Sequence, residues 1–231
     1  MKRFVFLLLV SSTSFFAQTK MSVESLFEKI DEYYGKNKDY SYSSEYFVYE
    51  SELSNKIIDH YSGLAIKKGN VNYQKTNKAE FINFTDYSVS INHTEKKILI
   101  TKNTIKNSIQ SLKELLKICN KNKLTEDKLY WICELWSDKK NYKKQFEKIK
   151  IYINKNDFSL HRQLFYTTGS QEVFKNNKKK ILKNPRLEIL FKKNSIKVID
   201  DKILSKENYF RIENKKFIVA KRFKAYNLIT L

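Results

Sequence analysis

The sequence is poor in the residues that build tight loops and reactive centres. Its 231 residues include four glycines, one proline, two cysteines and three histidines. So few glycines and prolines exclude collagen-like and flexible-linker architectures, and the phosphate-binding loops GxGxxG and GxxxxGK[ST] do not occur. The histidines and cysteines leave little material for a metal site or for a base-activated nucleophile. This composition is more typical of a binding scaffold than of an enzyme.

Apolar and aromatic residues, in contrast, are plentiful. Hydrophobic residues make up 41% of the chain, and 16 phenylalanines and 15 tyrosines are far too many for a disordered protein. The length is sufficient for one large domain with its own core. We therefore expect a single domain over residues 18–231.

The N-terminus has the pattern of an export signal. Lys2 and Arg3 precede seven apolar residues from Phe4 to Val10, and the small residue Ala17 provides a cleavage position. The apolar run is too short to span a bilayer, and no cysteine follows it for lipid attachment. The sequence predicts a signal peptide over residues 1–17, a mature chain that begins at Gln18, and a periplasmic location.

The positive charge is concentrated in the second part of the chain. The formal net charge is +20; residues 18–100 hold 11 basic and 12 acidic residues, whereas residues 101–231 hold 32 and 13. Such asymmetry is typical of a protein with an anionic partner, such as an acidic membrane surface. However, 40 of the 45 basic residues are lysines, and AT-rich codons would also produce such a lysine-rich, solvated surface without any partner. Arginine, which is rare here, is the better ligand for phosphate. Both explanations stay open, and the scarcity of arginine argues against a nucleic-acid partner.

Hydrophobic periodicity predicts two helices and many short strands. The helices are expected at residues 22–34 and 104–119. Polar loops are expected at 121–128 and 175–183. Strands are expected at 40–49, 57–66, 71–73, 79–84, 87–91, 97–101, 129–136, 146–153, 158–167, 186–191 and, as one or two strands, within 216–231. This order predicts an α+β fold, in which a highly curved antiparallel sheet forms an unclosed half-barrel with the helices packed on its concave face.

Several short motifs resemble the periplasmic outer-membrane lipoprotein carriers, the LolA-like superfamily. They are GLAIKK at 63–68, AEFINFTD at 79–86, SVSIN at 88–92, KILI at 97–100 and the pattern F-x-x-I-x-I-x-I-x-x-x-x-F-x-L from Phe146. The resemblance implies a half-barrel that carries a lipid or the acyl chain of a lipoprotein, as a non-catalytic transport protein or chaperone without a cofactor. The expected partner is thus a hydrophobic ligand or a lipidated protein, and the chain is expected to be a monomer.

Amphipathic helices above a curved sheet can enclose a cavity for an acyl chain, because each buried CH₂ group contributes about 0.8 kcal/mol. An ordinary filled core is the alternative for each candidate residue of such a cavity. The candidate ligand-binding residues are Phe47, Leu64, Ile66, Phe81, Ile98, Ile100, Ile149, Ile151, Ile153, Ile189 and Phe191.

The remaining polar residues do not suggest a reaction. His60, His93 and His161 have no serine, cysteine or carboxylate at a recognised catalytic spacing, so we expect no catalytic residue and no metal. Export permits a disulfide between Cys119 and Cys133, although two separate buried thiols fit the sequence almost as well. The alternative function is an exported, non-catalytic interaction protein whose basic second half docks on an anionic envelope surface or partner.

Overall fold

The structure is a computed structural model that describes residues 21–36, 39–103, 112–137, 146–175, 178–194 and 200–231. The predicted signal peptide, residues 1–17, lies outside these residues, as does the first part of the predicted second helix, residues 104–111. Within the described residues, no helix is both long and apolar enough to cross a membrane.

The described chain is mostly β-strand with few helices, as predicted. The helices are α1 (Val23–Lys36) and α2 (Lys113–Ile118), and short 3-10 helices lie at Asp201–Leu204, Lys206–Asn208 and Lys221–Phe223. The strands are β1 (Tyr40–Tyr49), β2 (Ile57–Lys68), β3 (Val71–Thr76), β4 (Ala79–Asn83), β5 (Tyr87–Asn92), β6 (Lys97–Lys102), β7 (Cys119–Glu126), β8 (Tyr130–Ser137), β9 (Phe146–Asn154), β10 (Leu160–Thr167), β11 (Ser170–Lys175), β12 (Lys178–Lys183), β13 (Arg186–Lys193), β14 (Phe210–Glu213), β15 (Lys216–Val219) and β16 (Asn227–Thr230).

Twelve of these strands form one sheet in the order β16-β6-β5-β4-β3-β2-β1-β13-β10-β9-β8-β7. Strand β13 pairs with β1 and joins the two meanders at the centre of the sheet. The two end strands, β16 and β7, do not pair with each other, so the sheet is not closed. The expectation of a purely antiparallel sheet is wrong at one position, because β16 returns along β6 in the parallel direction.

Strand register divides the side chains of this sheet between two faces, because directly opposed residues on neighbouring strands point to the same side. Directly opposed residues connect Ile151 on β9, through β10 and β13, to Tyr46 on β1. Tyr42 lies four residues before Tyr46 and therefore points to the same side, and directly opposed residues connect it through β2 and β3 to Phe81 on β4. We call this side the helix face. The alternating residues, such as Ile82, lie on the opposite side, which we call the C-terminal face.

Helix α1 covers the helix face over β8 and β9. Its residues Val23, Leu26, Phe27 and Ile30 recur at the spacing of one helical face, and all are buried. They pack against the β8 and β9 residues Cys133, Leu135, Ile149, Ile151 and Ile153, and Leu115 and Leu116 of α2 contact the same cluster. Both helices therefore pack on one face of the sheet.

The end of the chain covers the C-terminal face over β2–β6. Leu204, Tyr209, Phe210 and Phe223 are buried there against apolar residues of the sheet. Their partners are Ile66, Tyr73, Ile82, Phe84, Val89, Ile91, Ile98 and Ile100. The molecule therefore has two cores on opposite faces of one sheet.

Two predicted loops are strands in the structure. Residues 119–126 form the edge strand β7, whose eight residues are at most partly buried, so they lack the apolar alternation that marks a strand in sequence. The basic segment 175–183 contributes to the hairpin of β11 and β12, where Leu182 is buried. Backbone hydrogen bonds with a neighbouring strand determine both elements. The pattern of side chains in the sequence does not reveal these hydrogen bonds.

The predicted disulfide is not formed in the structure, where Cys119 and Cys133 are separate thiols. Strand pairing explains why. Cys119 lies opposite Ser137 and Cys133 lies opposite Leu124, so several residue steps along the ladder separate them. A disulfide needs Cα atoms roughly 4.4–6.8 Å apart, and each step adds about 3.3 Å.

Candidate functional site

A groove of about 260 Å³ opens on the helix face next to α1. It crosses the centre of the sheet, from β13 over β1, β2, β3 and β4 to β5. Ligand pockets for small molecules usually measure roughly 300–1,000 Å³, so this groove is small for a complete ligand but sufficient for part of a chain. Its lining residues are Tyr42, Ser44, Tyr46, Leu64, Ala65, Gln74, Lys75, Thr76, Ala79, Glu80, Phe81, Ser90 and Phe191.

Small side chains form the floor of the groove. Ser44, Gly63 and Thr76 are cross-strand partners in one row, and Ala65 lies in the next row opposite Tyr42. Because these side chains fill little space above the sheet, the larger residues around them become walls. The sequence thus produces a depression in an otherwise continuous sheet surface.

Gly63 is needed at the centre of this floor. A Cβ atom at this position would lie 2.6 Å from Oγ of Ser44 and 2.8 Å from Cε2 of Tyr46. Carbon atoms in contact normally lie about 3.5–4.0 Å apart, so any larger residue would displace the Tyr46 ring. Gly63 therefore permits the ring of Tyr46 to lie across β2, where it stacks on Tyr61 with 4.7 Å between ring centroids.

Aromatic rings form the walls. Tyr42 is buried and packs against Tyr34 at the end of α1, with its hydroxyl 3.4 Å from that of Tyr33. Burial, with a smaller effect from the Tyr33 hydrogen bond, raises the pKa of Tyr42 far above its usual range, so this wall is uncharged. Phe81, which is 38% exposed, forms part of the lining on β4.

The two charged lining residues direct their side chains away from the groove. On the neighbouring strands, Lys75 lies directly opposite Leu64 and Glu80 lies directly opposite Ile91. This register places the side chains of Lys75 and Glu80 on the C-terminal face. Glu80 is buried there and accepts hydrogen bonds from Tyr73 and Arg222. The helix-face side of the groove therefore presents aromatic rings and neutral polar groups to a ligand.

Three of the eleven predicted ligand-binding residues line the groove: Leu64, Phe81 and Phe191. Phe81 and Phe191 lie on the helix face, whereas Leu64 lies opposite Lys75, so its side chain is on the C-terminal face and packs against the C-terminal core. Ile149, Ile151 and Ile153 are fully buried under α1, whereas Ile66, Ile98 and Ile100 lie in the C-terminal core. Ile189 is buried opposite Tyr46, and Phe47 stacks on His60. Because these eleven residues occupy two faces of one sheet, they cannot all line a single cavity.

Sequence reasoning did not select Tyr42, Tyr46 and Gly63. A signal for them is present, because tyrosines alternate along β1 and a glycine interrupts the middle of β2. Glycine inside a strand weakens it and often marks a close approach of another group. Here that group is a ring from the neighbouring strand.

Each of the three histidines contacts another side chain. His60 lies 2.6 Å from the Glu45 carboxylate, His93 lies 3.0 Å from Glu80, and His161 stacks on Tyr130. Burial, followed by the charge of Arg162, lowers the pKa of His161. The described residues contain no group of three or more His, Cys, Asp or Glu side chains placed to hold a metal ion.

Known proteins resemble the chain in structure at low sequence identity. No protein-family model and no curated protein matches it. The matching solved structures include an uncharacterized conserved protein from Thermus thermophilus, at 9% identity and TM-score 0.47, over 91% of this chain and all of that one. A LolA superfamily protein from Nitrosomonas europaea matches at 11% identity and TM-score 0.35, over 81% and 99%. A DUF1329 family protein from Desulfovibrio piger matches at 10% identity and TM-score 0.35, over 81% and 98%.

One of these three structures is named as a LolA superfamily protein. The function of this chain is therefore argued from its own groove.

Proposed function

We propose that the groove binds an apolar chain, and that the protein is a non-catalytic carrier or sensor of a hydrophobic ligand. The observation that supports this most directly is an open, ring-lined depression whose charged neighbours direct their side chains to the other face of the sheet. Such a site can shelter hydrocarbon from water, and it offers no group for general acid–base work. An acyl chain of a lipid or of a lipidated protein is the ligand that this chemistry fits best.

The affinity would come from burial. Each CH₂ group transferred from water to the groove contributes about 0.8 kcal/mol, so six to eight of them supply about 5–6 kcal/mol before the cost of association is subtracted. Rings are suitable walls because they bring much apolar area while losing few rotamers on binding. Neutral groups such as Gln74 and Ser90 would tolerate different headgroups at the rim.

The wider context of this function is part of the same proposal. The N-terminal pattern supports export to the periplasm after cleavage before Gln18. The LolA-like motifs support a half-barrel whose concave side is the helix face. In that arrangement α1 would shield one end of the bound chain.

A fluorescent fatty-acid probe tests the groove. We expect the probe to bind the wild-type protein, and to bind a Ser90→Phe variant at least tenfold more weakly. Ser90 is exposed and lines the groove opposite Phe81, so a ring at this position fills the site without entering either core. The matched control is Ser62→Phe, which adds the same ring next to Gly63 but on the opposite face of the sheet. Thermal unfolding of both variants checks that the fold is intact.

A second probe tests the chemical class of the ligand. Because the lining is uncharged on this face, a fatty alcohol should compete with the probe about as well as a fatty acid of the same length. Equal binding by the two serine variants, or no binding by the wild-type protein, would refute the groove as the ligand site.

A further inference from the structure

Two segments that are distant in sequence meet at one end of the sheet. They are the β1–β2 loop, residues 50–56, and the described strands of the β11–β12 hairpin, residues 170–175 and 178–183. Lys180 Nζ lies 2.7 Å from Oε1 of Glu50, which joins the hairpin to the loop. Arg186 donates hydrogen bonds of 2.8 and 3.3 Å to the carbonyl oxygens of Glu52 and Ser54. We call these two segments the basic tip.

The basic tip exposes large apolar side chains. Leu53 is 89% exposed, the highest value among the large hydrophobic residues of the described chain, and Ile181 on the hairpin is 62% exposed. Ile57, at the start of β2, is 45% exposed. Single exposed apolar residues are common on proteins, but here two of them lie on segments that an ion pair holds together.

Lysines flank these apolar residues in the sequence. Residues 50–56 and 170–183 together hold six lysines and three glutamates, an excess of three positive charges. Lys179, Lys180 and Lys183 on the hairpin are exposed, as is Lys56 on the loop. Lys179 pairs with Glu172, and Lys56 and Lys180 share the single carboxylate of Glu50, so positive charge stays in excess. Protruding apolar side chains within a basic surface have the chemistry of a peripheral membrane contact, in which lysines meet anionic headgroups and apolar groups enter the acyl boundary.

We infer that the basic tip docks on an anionic lipid bilayer. The lysines supply long-range attraction, which screening limits to about 8 Å at physiological ionic strength. Leu53 and Ile181 then enter the interface and make the contact specific for a membrane. A soluble polyanion would use the lysines alone, so the apolar residues distinguish the two partners. This surface is separate from the groove, and the inference does not depend on the groove binding a ligand.

Vesicle co-sedimentation of the processed protein tests the inference. We expect binding to vesicles that contain phosphatidylglycerol, a steep loss of binding as salt rises, and little binding to pure phosphatidylcholine. A Leu53→Ser/Ile181→Ser variant should bind at least tenfold more weakly, and so should Lys179→Glu/Lys183→Glu. All four residues are exposed, and circular dichroism checks that these variants fold.

The matched control is Lys128→Glu/Leu129→Ser. These two residues form a similar exposed basic and apolar pair, with Leu129 61% exposed, but they lie in the β7–β8 turn at the opposite end of the sheet. The control and the groove variant Ser90→Phe should bind vesicles like the wild-type protein.

Three results would overturn the inference: no binding of the wild-type protein to anionic vesicles, equal binding to neutral vesicles, or full binding by the Leu53/Ile181 variant. Loss of binding in the lysine variant alone would also overturn it, because it would show a purely electrostatic contact that any polyanion could make.

Discussion

Arg222 and Glu80 are 142 residues apart in sequence and form an ion pair in which Nη2 of the arginine lies 3.3 Å from Oε2 of the glutamate. Glu80 is only 3% exposed, and Tyr73 and His93 hydrogen-bond to the same carboxylate. The guanidinium also lies 4.1 Å from the centroid of the Phe223 ring. This pair therefore fastens the C-terminal segment to the sheet on the face opposite the groove.

Removing Arg222 should destabilise the protein, because it leaves a buried carboxylate with fewer donors. We expect Arg222→Ala to lower the free energy of unfolding by about 2–4 kcal/mol. The double variant with Glu80→Ala should cost less than the sum of the two single variants, since the pair interacts directly. Urea unfolding measures all three.

The matched control for this pair is Lys206–Asp86, an exposed ion pair that also joins the C-terminal segment to the sheet. Lys206→Ala should cost less than about 1 kcal/mol. If Arg222→Ala and Lys206→Ala have the same effect, or if the Arg222 and Glu80 effects are additive, Arg222 does not have the fastening role.

Glu134 should make stability depend on pH. Its carboxylate lies 3.1 Å from Lys150 and 3.6 Å from Lys148. Partial burial raises its pKa, but the hydrogen bond from Lys150 and the charge of Lys148 outweigh this and hold it below the usual 4.5. A lowered pKa in the folded state means that ionised Glu134 stabilises the fold above about pH 4.5, and that this stabilisation is lost as pH falls through the folded-state value.

Glu134→Gln should therefore lower stability at pH 7 and narrow the difference in stability between pH 7 and pH 3. Chemical unfolding at a series of pH values measures this difference, with Glu52→Gln on the exposed β1–β2 loop as the control. An unchanged pH profile in Glu134→Gln would contradict the prediction.

Cys133 should resist alkylation in the folded protein. Its side chain is fully buried, and burial, with smaller effects from Cys119 and Glu24, raises the pKa of the thiol to about 12. Because the thiolate is the reactive form, iodoacetamide at pH 8 should leave Cys133 unmodified, as peptide mass spectrometry can show. Denaturation without a reductant should then expose it to modification. Failure to label Cys133 after denaturation would indicate a disulfide with Cys119 in the purified protein.

The sequence alone was sufficient for elements whose side chains alternate between core and solvent. Helix α1 and strand β9 have strong periodicity, because one face of each meets a core and the other meets water or charged neighbours. The turn at Gly69, where φ is +56°, has a similar local cause, because glycine adopts this backbone conformation without a steric cost. Local chemistry determines these features, so a single sequence reveals them.

Edge and hairpin strands were not predictable in this way. Few side chains of strand β7 and of the lysine-rich strand β12 are buried, so their sequences do not alternate between apolar and polar residues. Both strands are held by backbone hydrogen bonds to their partner strands. The groove was also only partly predictable. Phe81 and Phe191 of its lining are among the eleven candidates, but sequence cannot assign residues of different strands to the same face before the register is known.

The amino-acid sequence by itself determined that this chain forms a β-rich structure with apolar faces, few reactive groups and a basic second half. Tertiary structure decided which apolar residues are filled core and which border open space. The physical reason is that β13 pairs with β1. The register of this pairing determines, for the strands on either side, which alternate residues point to each face of the sheet. It places α1 and the C-terminal segment on opposite faces, and it leaves the groove at Gly63 beside α1.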